Sequence, residues 1–394
     1  MTASLNAPYT MYGIPASLYT AKVRCYMRKQ GIGFTECGVN HPQYQQAIVP
    51  QLGRIIMPVV ESAAGEVIQD GTDIIDYFEQ QGLYRQSAYP DTPLQQTVAH
   101  LFELFGGEGM LRPAMHYRWH FDEENLAFLK NEFCAGLVPP GTDEKGRTQL
   151  FDWASGRMRK AAVGFGAPVE ARALIEQSYA EFLGLFSEHL SAVPYLLGGR
   201  PTLGDYGLTG PLYGHMARDP KPAALMRETA PRVARWVERM HAPEQVAVEY
   251  AEEYVGENAQ LFADDAIPET LKALMCFVAE EYLPELAAHV AFANQWLRER
   301  PDLEDGSNGL EDPTERIIGK AEFQWRGISL STWVMPYRFY LLQRIQDSYD
   351  GAAPSEQEKI AALFAETGLE ALLTLRTDRR VERKGHLEVW GPLR

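Results

Sequence analysis

Residues 11–24 read MYGIPASLYTAKVR, a short β-type run, a proline-containing turn and the opening of an amphipathic helix. Working outward, YTMYGI (9–14) reads as a strand and Leu18 to Gln30 as a helix that stops near Gly31. GFTECGV (33–39) and IIMPVVES (55–62) read as further strands, and EVIQD (66–70) as a fourth. Thr72 then caps a helix over Ile74, Ile75, Tyr77 and Phe78. The predicted order is β-α-β-(α)-β-β-α.

Pro58 breaks the pattern, because it lies inside an apolar strand where proline removes a ladder hydrogen bond. Either it is an ordinary trans proline on an edge, or Met57–Pro58 is cis and turns the backbone of residue 57 outward toward a ligand.

From about residue 93 the period becomes helical. Ile175, Tyr179, Phe182, Phe186 and Leu190 recur at steps of three or four, as do Val233, Trp236, Val237 and Met240. Residues 138–168 carry glycine, proline and mixed charge without an apolar period, which predicts a long, partly ordered excursion. Farther on, Pro268 opens a helix that Pro284 is expected to kink or split, and SEQEKIAALFAETGLEALLTL (355–375) reads as one helix capped by Ser355 with Glu358. Residues 323–345 are dense in aromatics and residues 376–384 are rich in arginine.

A chain of 394 residues exceeds the roughly 250–300 at which one core stops growing, so more than one domain is expected. Its 37 Lys and Arg against 53 Asp and Glu give a net charge of −16, which repels nucleic acid and anionic membranes. Four scattered cysteines fit a reducing compartment, and no segment is long and apolar enough to span a membrane, so a cytoplasmic location is expected. His116 and His120 have metal-compatible spacing, but no third ligand is placed beside them and no metal is expected.

MYGIPASLYTAKVR (11–24), MPVV (57–60) and IQDGTDIIDYFE (68–79), in that order, resemble the thioredoxin-like N-terminal domain of the glutathione transferase superfamily. GGRPTLGDYGLTGPLYG (198–214) resembles the capping motif of the family's helical domain. The resemblance implies an α/β thioredoxin-like domain over residues 1–85, followed by an all-α C-terminal domain over 93–245 with an insertion near 120–170. Residues 246–394 fall outside it, as an additional, mainly helical extension of unassigned role.

In glutaredoxin-like relatives the turn before the first helix carries Cys-Pro-Tyr-Cys; here it is Ser17-Leu18-Tyr19-Thr20, without either sulfur. A serine at a helix N-terminus can instead donate to a bound thiolate, aided by the helix dipole. Lowering a thiol by about two pH units from ~8.5 requires about 2.7 kcal/mol, within reach of a charged hydrogen bond and a helix end. Ser17 is therefore the expected catalytic residue, with Thr20 as a fallback donor.

The resemblance places glutathione, the co-substrate, on the backbone of Met57 before Pro58. Asp70 takes the γ-glutamyl amine, and Gly71 stands where the family usually has serine. The Gly71 and Thr72 N–H groups, and the Thr72 hydroxyl, remain for the γ-glutamyl carboxylate, with Arg54 and Gln69 for the other polar ends. Phe105, Met115, Tyr117 and Trp119 are the expected walls for a hydrophobic electrophile, and Thr202 with Asp205 a structural capping box. The implied activity is attack of the glutathione thiolate on such an electrophile by a homodimer, unless the extension covers that interface. The alternatives are a non-catalytic binding or assembly module, and a glutathione-dependent disulfide- or thioether-cleaving enzyme.

Overall fold

The computed structural model describes residues 8–244, 249–250, 254 and 259–394, so the expected boundary at 245/246 lies outside the described residues. Strand β1 (Tyr9–Gly13) leads into helix α1 (Leu18–Lys29), and β2 (Phe34–Gly38) follows. After α2 (Val49–Leu52) come β3 (Val59–Glu61), β4 (Val67–Gln69) and α3 (Gly71–Gln80). The sheet order is β2-β1-β3-β4, with β1 parallel to β2 and the other pairs antiparallel. Tyr9, Met11, Val23, Tyr26, Val60, Ile74 and Phe78 fill the space between sheet and helices. Pro58 precedes β3 rather than lying within it, so the ladder loses no donor, and the Met57–Pro58 peptide is cis.

Eight helices continue the chain: α4 (Pro93–Leu104), α5 (Leu111–Trp119), α6 (Asp122–Leu137), α7 (Glu144–Gly164), α8 (Arg172–His189), α9 (Leu203–Pro211), α10 (Pro220–Thr229) and α11 (Pro231–His241). The expected excursion over 138–168 is corrected by α7, which occupies most of it. Asp143 caps its start through Gly146 N at 2.9 Å. Its apolar stripe is thin because Phe151, Ala154, Ala161 and Ala162 suffice to pack it, while Trp153 and Val163 stay exposed.

Beyond residue 259 lie α12 (Glu269–Arg298), the hairpin β5 (Gly319–Trp325) and β6 (Ile328–Val334), α13 (Pro336–Asp350), α14 (Pro354–Glu366), α15 (Ala371–Thr374), and the hairpin β7 (Arg379–Lys384) and β8 (Leu387–Leu393). The helical reading did not include the two hairpins. In β5 and β6 burial alternates, with Ala321, Phe323, Trp325, Leu330, Thr332 and Val334 facing inward. Arg326 at φ 45° and Gly327 at φ 84° make the two-residue turn that joins them.

Two cap readings are also corrected. Asp70, not Thr72, is the N-cap of α3. The cap of α14 is Ala353, one residue before Pro354, whose fixed φ suits the first helical position better than Ser355, and the single helix expected over 355–375 is broken into α14 and α15 at Gly368, whose φ is 74°. Pro284 does not split α12, because the adjoining turns are held from outside: Glu281 receives Trp325 and Arg326, and Glu285 receives Arg112 and Arg338.

The extension does not stand apart. One hydrophobic core runs from Met11 and Phe78 through Phe102, Phe182 and Trp236 to Leu286, Leu342, Phe364 and Trp390. Helix α4 is buried on nearly every side, packed between α9 and α13. The arginines of 376–384 are spent on carboxylates: Arg376 on Asp350, Arg379 on Asp305, Arg380 on Asp347, and Arg383 on Asp73 and Glu388. No helix among the described residues is long and apolar enough to cross a membrane.

Candidate functional site

Ser17 is the N-cap of α1, with extended backbone, and its Oγ accepts from Thr20 N at 3.2 Å. That bond uses a lone pair, so the hydroxyl proton remains to be donated away from the helix. The turn before it is anchored from the helical region. Arg118, on α5, donates to Ala16 O at 2.5 Å and Gly214 O at 2.9 Å, and forks onto Asp219 at 2.7 and 2.8 Å. Both charged groups are buried, so the pair is worth little net but is costly to break from one side. The loop geometry at Ser17 therefore depends on residues about 100 positions downstream.

A continuous strip links this turn to the start of α3. Asp70 N donates to Pro58 O at 3.4 Å, and a Cβ built on Gly71 would lie 3.9 Å from Tyr19 O. Asp70 sits at φ 89° and is buried, and its Oδ1 accepts both Thr72 N at 2.9 Å and the Tyr337 hydroxyl at 2.8 Å. Sequence reasoning missed Tyr337, which comes from α13. The Thr72 hydroxyl accepts from Lys22 Nζ at 3.1 Å and donates to Glu103 at 3.2 Å. Of the donors expected for the γ-glutamyl carboxylate at α3, both from Thr72 are thus already engaged, which corrects that part of the reading.

Arginines from the extension pack beside the first turn of α3, reaching Asp73 and the ring of Tyr337. Arg383 donates to Asp73 at 2.9 Å, Glu388 at 2.7 Å and Gln69 Oε1 at 3.3 Å, so Gln69 is held rather than open. Arg316 forks onto Glu388 at 2.7 and 3.3 Å and lies 5.2 Å from the centre of the Tyr337 ring. Arg54 donates to the carbonyls of Thr314 at 2.7 Å and His386 at 3.2 Å, stitching α2's exit loop to the extension. Burial, and next the charge of Arg316, push the Arg54 guanidinium down to about 10. Burial and then Glu108 hold the Tyr19 phenol well above its ordinary value.

Below this strip, Lys22 pairs with Glu103 at 2.7 Å. Burial raises the Glu103 carboxyl, but Lys22 and Arg344 outweigh it and hold it well below the usual range. Arg338, also from α13, is fully enclosed between Glu108 at 3.0 Å, Glu285 at 2.8 Å and His289 at 3.0 Å.

The residues expected to wall an acceptor pocket are core residues here. Phe105, Met115, Tyr117 and Trp119 are 3–5% exposed and pack on their neighbours instead of facing an open cleft. Phe105 meets Phe182, Phe277 and Tyr282, and Tyr117 stacks on Phe121. Met115 and Trp119 share a core with Ile14 and Ala16, which flank the Ser17 turn. Thr20 is fully buried and its hydroxyl has no partner among the described residues. Asp205 accepts from Thr202 N at 2.9 Å and Leu196 N at 3.0 Å, and burial pushes its carboxyl up to about 6 against those bonds. His116 and His120 face each other at 2.8 Å, and no group of three metal-binding side chains occurs among the described residues.

Residues 11–82 match the model of the glutathione S-transferase N-terminal domain, and residues 169–239 that of the glutathione S-transferase C-terminal domain. The chain carries both domains of the glutathione S-transferase superfamily. Among solved structures, the chain is similar to glutathione transferase GSTFuA3 from Phanerochaete chrysosporium, at 15% identity and a TM-score of 0.43, covering 61% of this chain and 99% of that one. A glutathione S-transferase from Methylobacterium radiotolerans, in complex with glutathione sulfonate, is 18% identical with a TM-score of 0.34, covering 60% and 91%. One from Rhodospirillum rubrum is 16% identical with a TM-score of 0.37, covering 68% and 99%. No curated protein matches the chain. The domain matches end at residue 239, so α12, α13 and both hairpins lie beyond them.

Proposed function

We propose that the chain is a glutathione S-transferase-like enzyme that binds glutathione along Met57, Asp70 and Gly71 and activates its sulfur as a thiolate for attack on a hydrophobic electrophile. The observation that carries this reading is Ser17 capping α1 through a lone pair, with its proton left to donate. A thiolate in front of it would gain a charge-assisted hydrogen bond and the positive end of α1. The thiol proton leaves to solvent, the sulfur lone pair forms the S–C bond, and any leaving group departs with its electron pair.

Conjugation kinetics with a chromogenic aryl halide test it. Ser17→Ala should lower kcat/KM by about a hundredfold, a loss of about 2.7 kcal/mol, and raise the pH at which the rate reaches half its maximum. Unchanged kinetics would remove Ser17 from the mechanism.

The reading places the enzyme in the cytoplasm. A homodimer would have to form away from the faces of α3 and α4 covered by α13, where Tyr340 meets Asp73 and Arg344 meets Asp76; sedimentation velocity measures it. A second reading, a non-catalytic binding module, is favoured by the Tyr337 hydroxyl already seated on Asp70. No retention on immobilised glutathione together with no conjugation would select it.

A further inference from the structure

Pairing the charges around Asp70 leaves two groups over. Arg383 and Arg316 are matched by Asp73 and Glu388. Arg54 bonds only to carbonyls, and its Nε has no partner among the described residues. Asp70 has no ion pair among them, and both hydrogen bonds it accepts fall on Oδ1, leaving Oδ2. Arg316 uses Nε and Nη2 on Glu388, leaving Nη1. One unmatched cation and one unmatched anion, in a cluster where the Asp70 charge acts on both Arg54 and Arg316, complement a zwitterion.

Resting on the glutathione reading above, we propose that the C-terminal extension completes the glutathione site: Arg316 and the Arg54 it braces hold the γ-glutamyl α-carboxylate, while Asp70, oriented by Tyr337, holds the α-ammonium. A pair of charged donors, Arg316 Nη1 and Arg54 Nε, suits a carboxylate better than a single hydroxyl does. It supplies the donor that Gly71 lacks and that Thr72, engaged with Lys22, Glu103 and Asp70, does not offer. Arg383 is a positioning residue, since all three edges of its guanidinium are used on Asp73, Glu388 and Gln69. The extension is thereby a working part of the site rather than an appendage.

Calorimetric titration of the full chain separates the outcomes, using glutathione and 4-aminobutyryl-cysteinylglycine, which lacks the α-carboxylate. Wild type is expected to prefer glutathione at least tenfold. Arg54→Met and Arg316→Met should each weaken glutathione about tenfold and leave the analogue unchanged. Arg316→Lys, which keeps the charge but cannot bond Glu388 and a ligand through separate guanidinium nitrogens, should fall between, and it decides the matter if Arg316→Met does not fold. Wild-type affinity and preference in the Arg54 and Arg316 variants would overturn the clamp while leaving the glutathione reading intact. Failure of wild type to bind either compound at millimolar concentration would overturn both.

Discussion

The Tyr337 hydroxyl donates to Asp70 Oδ1 at 2.8 Å across 267 residues of sequence, joining α13 to the first turn of α3. The bond holds a carboxylate whose backbone sits at φ 89° and which already caps the helix through Thr72 N. Tyr337→Phe removes the hydrogen bond to a charged acceptor, together with a 3.3 Å contact to the Thr72 hydroxyl, and should cost about 1.5–3 kcal/mol in denaturant titration. It should also weaken glutathione several-fold by freeing the Asp70 rotamer. Tighter binding instead would show that the hydroxyl occupies the ammonium's place, as the module reading requires.

Gly71 has room for a side chain. A Cβ there would meet Lys22 Cδ at 3.4 Å, an ordinary contact, and nothing closer. Gly71→Ser is therefore expected to fold, to gain up to about 0.5 kcal/mol from reduced backbone freedom, and to tighten glutathione. Gly13 is the contrast: a Cβ there would fall 2.4 Å from Thr20 Cγ2, so Gly13→Ala should destabilise the Ser17 turn. Melting temperatures of the two variants moving the same way would contradict this steric account.

Arg118 and Asp219 should behave as one unit. Arg118→Met strands a buried carboxylate and is expected to cost about 3–5 kcal/mol. Conjugation should fall as well, because the Ala16 carbonyl loses its donor. Adding Asp219→Leu removes the stranded charge and should restore much of the stability but not the rate. Additive losses in the double variant would show that the two side chains are not coupled.

His189 gives the fold an acid-sensitive point. Its ring is fully buried, faces Thr270 Oγ1 at 2.9 Å and Leu196 O at 3.0 Å, and is lowered to about 4, chiefly by burial. The unfolded chain takes up a proton near pH ~6.5 that the folded chain refuses until about pH 4, so stability falls as pH drops through that window, by about 2 kcal/mol at pH 5. Unfolding free energies from pH 7.5 to 4.5 for wild type and His189→Gln check the sign: the variant should show a shallower loss. Equal slopes would exclude His189 as the source.

Local pattern made much of the first domain legible. The strand, turn and helix of residues 9–29 follow from periodicity and Ser17's capping chemistry, and the order of strands from alternation and turn residues. The β5–β6 hairpin was also written locally, in the alternation of Lys320-Ala321-Glu322-Phe323-Gln324-Trp325 before Arg326-Gly327, but it was hidden by the surrounding density of aromatics. Residues 144–164 were misread because a helix lying on the surface of a core needs only a few small apolar residues and shows little period.

The sequence by itself determined the thioredoxin-like framework, the serine at the head of α1 and the absence of both redox sulfurs there, because strands, turns and caps are set by residues within a few positions of each other. Only the tertiary structure decided what surrounds Asp70. Tyr337, Arg316 and Arg383 carry no local mark that distinguishes them from surface residues. They reach α3 because one apolar core, running from Met11 to Trp390, draws α13 and the last hairpin onto the first domain. Burial on that scale selects partners hundreds of residues apart, and the charges it encloses must then be matched with one another or with a ligand.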